Sequence, residues 1–190
     1  MIPVSRPFFG AEEEQAVIAA LRSGWVTQGP RVAEFETAFA AALGQPEAVA
    51  VSSCTTGLHL VLHALGIGRG DEVVVPSLSF IATANAVAHT GATPVFADID
   101  LATYNLDPAS AARAISRRTK AILLVHQVGL PADVPAFRRL ARQQRVKLIE
   151  DAACAIGSQI DGKPVGGDAE VAVFSFHPRK LVTTGEGGMI

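Results

Sequence analysis

Short apolar runs alternate with amphipathic, helix-like stretches along most of this chain, and that alternation limits its fold more than any single motif. Runs near Ala48–Val51, Glu72–Val75, Pro94–Ala97, Ala121–Val125, Val146–Ile149 and Ala172–Phe174 read as strands, with helical stretches between the earlier ones. Strands that alternate with helices predict a mostly parallel sheet with covered faces, an α/β architecture. Ahead of the first strand, Glu12 to Leu21 and Arg31 to Leu43 read as two helices, with Gly24, Gly29 and Pro30 marking the connection between them. From Ser158 to Asp168 the pattern breaks, and Gly162, Pro164, Gly166 and Gly167 predict a hairpin or turn region. The sequence carries no internal repeat, low-complexity tract or interdomain linker. Its 190 residues, 49% of them hydrophobic, suffice for one domain with a sizeable core.

Charge and hydropathy argue against several classes of function. No apolar run approaches the roughly 20 residues that span a bilayer. A formal net charge of −2 gives no basic footprint for nucleic acid. The opening Met1–Pro7 does not read as a signal peptide, because no long apolar region follows its charge. Cys54 and Cys154 are the only cysteines and form no CxxC pair, so the sequence predicts neither a disulfide framework nor a zinc site. A reducing cytoplasm suits that usage.

Three segments carry groups suited to one kind of chemistry. Phe174 to Lys180 runs into the glycine-rich Thr183 to Gly188, which sets a lysine between an apolar segment and a turn. A lysine amine attacks aldehydes once desolvation or neighbouring cations ease the loss of its proton, and Arg179 stands beside Lys180. Taken alone, Lys180 reads more readily as a surface lysine in a basic turn, and the upstream segments overturn that reading. Val146 to Asp151 reads as an apolar strand ending in two carboxylates, and in open α/β sheets ligands sit beyond the carboxyl ends of strands. Asp151 there can hold a proton on a ring nitrogen; alternatively, Glu150 and Asp151 cap a following helix. Ala48 to Val51, then Ser52 to Gly57, then Leu58 to Leu65 supply a strand, a small polar turn and a helix N-terminus, a setting that favours an anion such as phosphate. Hydroxyls in such a turn also cap ordinary helices. Phe80, beyond the strand Glu72–Val75, offers a ring for stacking, or packs in the core.

With these segments in place the chain resembles the DegT/DnrJ/EryC1/StrS sugar aminotransferases. The resemblance runs through Ser23–Pro30, Phe35-Glu36, Ser53–Leu60, Phe80–Ala86, and the aspartate and lysine segments. It implies fold type I of the pyridoxal-phosphate enzymes, the aspartate-aminotransferase fold, with a three-layer α/β/α large domain and a mostly parallel sheet. It also implies pyridoxal 5'-phosphate as cofactor, with Lys180 as the Schiff-base lysine and Asp151 as the partner of the pyridine nitrogen. Phe80 becomes the stacking ring, and Thr55, Thr56 and Ser175 the phosphate contacts. The implied reaction moves an amino group, from glutamate in most of the family, to a keto group of a nucleotide-linked deoxysugar, in a homodimer. A related branch dehydrates sugars with His at the lysine position, and Lys180 argues against that branch.

Departures from the family pattern are local, except at the end. Cys154 stands where His or Gln is common near the cofactor's phenolic oxygen, and a thiol is a weaker hydrogen-bond partner. Leu130 stands where Gln is usual. The family continues well past Met189-Ile190, so residues 1–190 read as the N-terminal segment and most of the large domain, without the small C-terminal domain and with a sheet left open at its last strand. A noncatalytic fragment that binds cofactor or associates with a family member is the alternative. Other motifs read as structural. Gly66 to Asp71 follows a helix rather than opening one, the reverse of a dinucleotide fingerprint. His59 and His63 have metal-ligand spacing without an evident third ligand, and Glu12 to Glu14 fit a helix start.

Overall fold

Strands with unbroken apolar sequence take central places in the sheet, where both faces are covered. A computed structural model describes residues 5–190; residues 1–4, the start of the Met1–Pro7 opening, lie outside the described residues. Its strands are β1 (Ala50–Val51), β2 (Glu72–Pro76), β3 (Thr93–Ala97), β4 (Thr119–Val125), β5 (Lys147–Asp151), β6 (Gln159–Ile160), β7 (Lys163–Pro164), β8 (Ala172–Ser175) and β9 (Gly188–Met189). Seven form one sheet in the order β1-β9-β8-β5-β4-β2-β3. From β8 to β3 every pairing is parallel, while β9 runs antiparallel to both β8 and β1.

Side chains alternate across this sheet with the period of two that strands impose. Val73, Val75, Leu123, Ile149 and Val173 pack with Leu58, Val61 and Leu62 of α3 (Cys54–Ala64) and Val87 of α4 (Ala82–His89). Val74, Ile122, Leu124 and Leu148 pack instead with Ala111 of α5 (Pro108–Ala114) and Phe137 and Leu140 of α6 (Val134–Gln144). The result is three layers, α/β/α. Three of these helices, α3, α5 and α6, start where a side chain satisfies free N–H groups: Ser53 accepts from the Thr56 amide, Asp107 from Ala109 and Ser110, and Asp133 from Ala136.

Two further helices precede the sheet, α1 (Ala11–Ser23) and α2 (Pro30–Leu43). Phe35 and Phe39 of α2 meet Phe174 and Phe176 at ring-centroid distances of 5.0–5.7 Å, which docks α2 beside β8. By contrast, α1 buries no residue and leaves Val17, Ile18 and Leu21 exposed.

Two expectations differ from what the chain forms. Residues 152–158 are turns and irregular backbone rather than a helix, so nothing follows β5 for Glu150 or Asp151 to cap. The sheet is not left open at its last strand, because β9 inserts between β1 and β8 and pairs on both sides. That insertion depends on Gly188, where a Cβ would lie 2.7 Å from the Cys54 nitrogen. The Ser158–Asp168 region does form a hairpin, β6–β7.

The connections locate the crevice. Chain direction reverses between β2 and β4: α4 leads from β2 to β3 on one face, and α6 leads from β4 to β5 on the other. Connections diverging this way open a crevice at the carboxyl ends of the strands.

Candidate active site

Segments leaving the carboxyl ends of β2, β4, β5 and β8 meet the N-terminus of α3 around a cavity of about 410 Å³. Of the residues expected at a site, Thr55, Phe80, Asp151, Ser175 and Lys180 line it. Thr56 does not. Its hydroxyl lies 3.0 Å from the Ser53 hydroxyl and 3.1 Å from that of Ser52, inside the helix cap.

Asp151 ends β5 and is only 5% exposed. Its Oδ1 accepts from the Ala153 amide at 3.1 Å, and its Oδ2 from the Thr83 hydroxyl at 3.2 Å. The Ser79 hydroxyl, 2.7 Å from that of Thr83, extends this chain of hydrogen bonds into the segment between β2 and α4. The Cys54 sulfur lies 3.8 Å from Oδ1, and burial pushes its thiol well up from the ordinary range. Burial likewise raises the Asp151 carboxyl above the usual carboxylate range, opposed by the bonds from Ala153 and Thr83. Among the described residues no cation forms an ion pair with it. A buried carboxylate placed so favours a cationic partner from a ligand.

Glu150, one residue earlier, points to the opposite face. There its carboxylate meets His126 Nε2 at 3.2 Å and Arg138 at 3.7 Å. His126 Nδ1 accepts from the Ala132 amide at 3.1 Å, which leaves Nε2–H to donate to Glu150. Strand alternation thus separates two adjacent carboxylates, one into the cavity and one into a buried structural pair.

Lys180 sits on a loop tied at its neck. The Phe176 amide donates to the Gly187 carbonyl at 3.0 Å, and the Phe176 carbonyl accepts from the Thr184 amide and the Thr183 hydroxyl at 3.1 and 2.7 Å. At the tip the Lys180 amide donates to the His177 carbonyl at 2.8 Å. The Lys180 amine donates to the Cys154 sulfur at 3.1 Å. Phe80 leaves 75% of its surface exposed, and Ser175 lies buried at the end of β8. Ser53 caps α3 at Thr56, which leaves the first-turn amides directed toward the cavity end of that helix.

Sequence reasoning assigned no role to Thr83, Ser79 or Cys54, although all three support Asp151 or its surroundings. The two hydroxyls four positions apart, Ser79 ahead of α4 and Thr83 in its first turn, are the signal that connects them. Among the described residues no set of three His, Cys, Asp or Glu side chains is placed to hold a metal ion, and no helix is long and apolar enough to cross a membrane.

Known proteins share this architecture. Aminotransferase TlmJ from Streptoalloteichus hindustanus is 46% identical, with a TM-score of 0.95, over 100% of this chain and 52% of that one. Spr1654 from Streptococcus pneumoniae, described as a sugar aminotransferase and solved in its PMP-form, is 34% identical with a TM-score of 0.96, over 100% of this chain and 51% of that one. DesI, solved in the presence of its TDP-sugar product, is 39% identical with a TM-score of 0.91, over 100% of this chain and 48% of that one. The chain therefore spans about half the length of the solved relatives it matches. The family model for the DegT/DnrJ/EryC1/StrS aminotransferase family matches residues 7–190, and this chain belongs to that family.

Proposed function

We propose that this chain forms the N-terminal segment and most of the large domain of a pyridoxal-phosphate-dependent sugar aminotransferase, which moves an amino group from glutamate to a keto group of a nucleotide-linked deoxysugar. The observation that carries this reading is Asp151: a buried carboxylate, backed by Thr83 and Ala153 and without an ion-pair partner among the described residues, in a cavity that also presents Lys180. The cavity's 410 Å³ falls within the roughly 300–1,000 Å³ of small-molecule sites. These groups fit the cofactor's parts, a cationic ring nitrogen, an aromatic face, a phosphate and an aldehyde. Spr1654 has been solved in PLP- and PMP-forms, which supports the same cofactor here.

Bound there, pyridoxal phosphate supplies an aldehyde that captures amines and a ring that draws electron density from the substrate carbon. Asp151 holds the proton on the ring nitrogen, aided by the low polarity of its surroundings. The α3 N-terminus with Thr55, and Ser175 from β8, hold the phosphate, while Thr56 fixes the Ser53 cap in the same turn. Phe80, with its ring exposed at the cavity, would stack on the cofactor's aromatic face. Lys180 Nζ is the amine that would hold the aldehyde, and as a free amine it would be the group placed to take a proton from the substrate carbon. The exposed apolar face of α1 supports assembly as a homodimer. Two free thiols suit a cytoplasmic setting.

The test adds glutamate, then a TDP-linked keto sugar, to the cofactor-loaded protein, with its C-terminal half supplied. The expected result is conversion of the cofactor absorbance by glutamate and its reversal by the sugar. Retained cofactor with no response to any amino donor would favour the alternative, a noncatalytic cofactor-binding fragment.

A further inference from the structure

The contact between the Lys180 amine and the Cys154 sulfur, 3.1 Å long, joins a nucleophile to an oxidisable atom within one cavity. Cys154 is an exposed free thiol in the turn after β5, whereas Cys54, the other cysteine, is buried against Asp151. The loop bearing Lys180 is tied at Phe176, so the amine is held near the sulfur rather than swept through solvent. Reacting atoms held about 3–3.5 Å apart are already at near-attack distance.

We propose that Cys154 and Lys180 are a redox modification site, joined reversibly as a sulfenamide when a hydroperoxide enters the cavity. In the first step the Cys154 sulfur attacks the peroxide's terminal oxygen and the O–O bond breaks. Sulfur is oxidised to the sulfenic acid, and the peroxide is reduced to an alcohol, or to water for hydrogen peroxide, taking up the thiol proton. In the second step the neutral Lys180 amine attacks that sulfur, the S–N bond forms, the S–O bond breaks, and one water leaves carrying an amine proton. No second oxidant is needed. Two equivalents of a thiol reductant restore the Cys154 thiol and the Lys180 amine and depart as a disulfide. On the function proposed above, the link withdraws the amine that binds the cofactor, so oxidation switches the site off before loading; the chemistry of the link itself does not depend on that function.

The experiment treats the purified chain, free of cofactor and of thiols, with hydrogen peroxide, followed by intact mass and peptide mapping. The expected result is a loss of about 2 Da, two hydrogens, with the Cys154 and Lys180 peptides joined and separated again by dithiothreitol. Cys54→Ala should keep the link and Cys154→Ser should abolish it. Lys180→Arg should leave a sulfenic acid on Cys154 that dimedone traps. Joined peptides carrying Cys54 and Cys154, or a Cys154 oxidised to sulfenic or sulfinic acid in the parent chain without Lys180 attached, would overturn the proposal. The readout is a mass on unloaded protein, so it stands or falls separately from amine transfer.

Discussion

Replacing Thr83 with valine removes one hydroxyl and little volume from a residue that is 1% exposed, and with it both the hydrogen bond to Asp151 and the one shared with Ser79; only the bond to Asp151 depends on the charge of that carboxyl. A hydrogen bond to a charged group contributes about 1.5–3 kcal/mol. At 3.2 Å this one is long for two oxygens, and Oδ1 keeps its bond from Ala153, so the lower figure applies, about 1.5 kcal/mol. For a chain of this size that lowers the urea midpoint by roughly 0.5–1 M with the slope unchanged. The loss also carries a pH signature. The Thr83 bond opposes the burial that raises the Asp151 carboxyl, so removing it raises that carboxyl further. The penalty therefore grows as the carboxyl ionises and shrinks as pH falls and the group takes up its proton. Urea unfolding of parent and Thr83→Val at several values between about pH 5 and about pH 9 measures both quantities. A difference under about 0.5 kcal/mol throughout, or one that does not change with pH, would refute the argument that Thr83 supports the ionised carboxylate.

Other consequences follow from the same geometry. Burial holds the Asp151 carboxyl above its unfolded value near 3.9, so its charge costs stability in the unloaded chain, a cost absent at low pH that grows as pH rises through the folded value. Asp151→Asn should therefore raise the urea midpoint at alkaline pH, with the advantage fading on acidification, while glutamate-driven conversion of the cofactor is largely lost; a less stable variant at every pH would contradict this. Gly188→Ala places a Cβ 2.7 Å from the Cys54 nitrogen at the start of α3, and should destabilise by about 1–3 kcal/mol and weaken phosphate retention, read by thermal unfolding and phosphate competition. Glu150→Gln leaves His126 and Arg138 without their buried carboxylate, and should lower stability while leaving the cofactor absorbance band in place.

The sheet was legible in the sequence because its middle strands are covered on both sides: Val73–Val75 and Ala121–Val125 are unbroken apolar runs, which only a two-faced core accepts. The hairpin at Gln159–Pro164 was legible from its glycines and proline. What the sequence left open was settled by contacts that are distant along the chain. Asp151 and Glu150 are chemically alike and adjacent, and only the register of β5 beside β4 and β8 sends one to the cavity and the other to His126. The role of Gly188 is set by the approach of Ser53 and Cys54, more than a hundred residues away, which no local pattern encodes. Thr83 reaches Asp151 across 68 positions, and its neighbour Phe80 drew the attention because a ring is conspicuous where a hydroxyl is not. The setting of Lys180 between an apolar strand and a glycine-rich turn was legible, and the structure places it on the cavity, but its contact with Cys154, 26 positions earlier, was not legible.

The central claim is that Lys180, and no other lysine, is the amine that binds pyridoxal phosphate. Loading the protein with pyridoxal phosphate, reducing with borohydride and mapping the peptides tests it directly. The expected result is a stable pyridoxyl group on Lys180, absent in Lys180→Arg and retained in Asp151→Asn. A pyridoxyl group on Lys120, Lys147 or Lys163, with Lys180 unmodified, would contradict it.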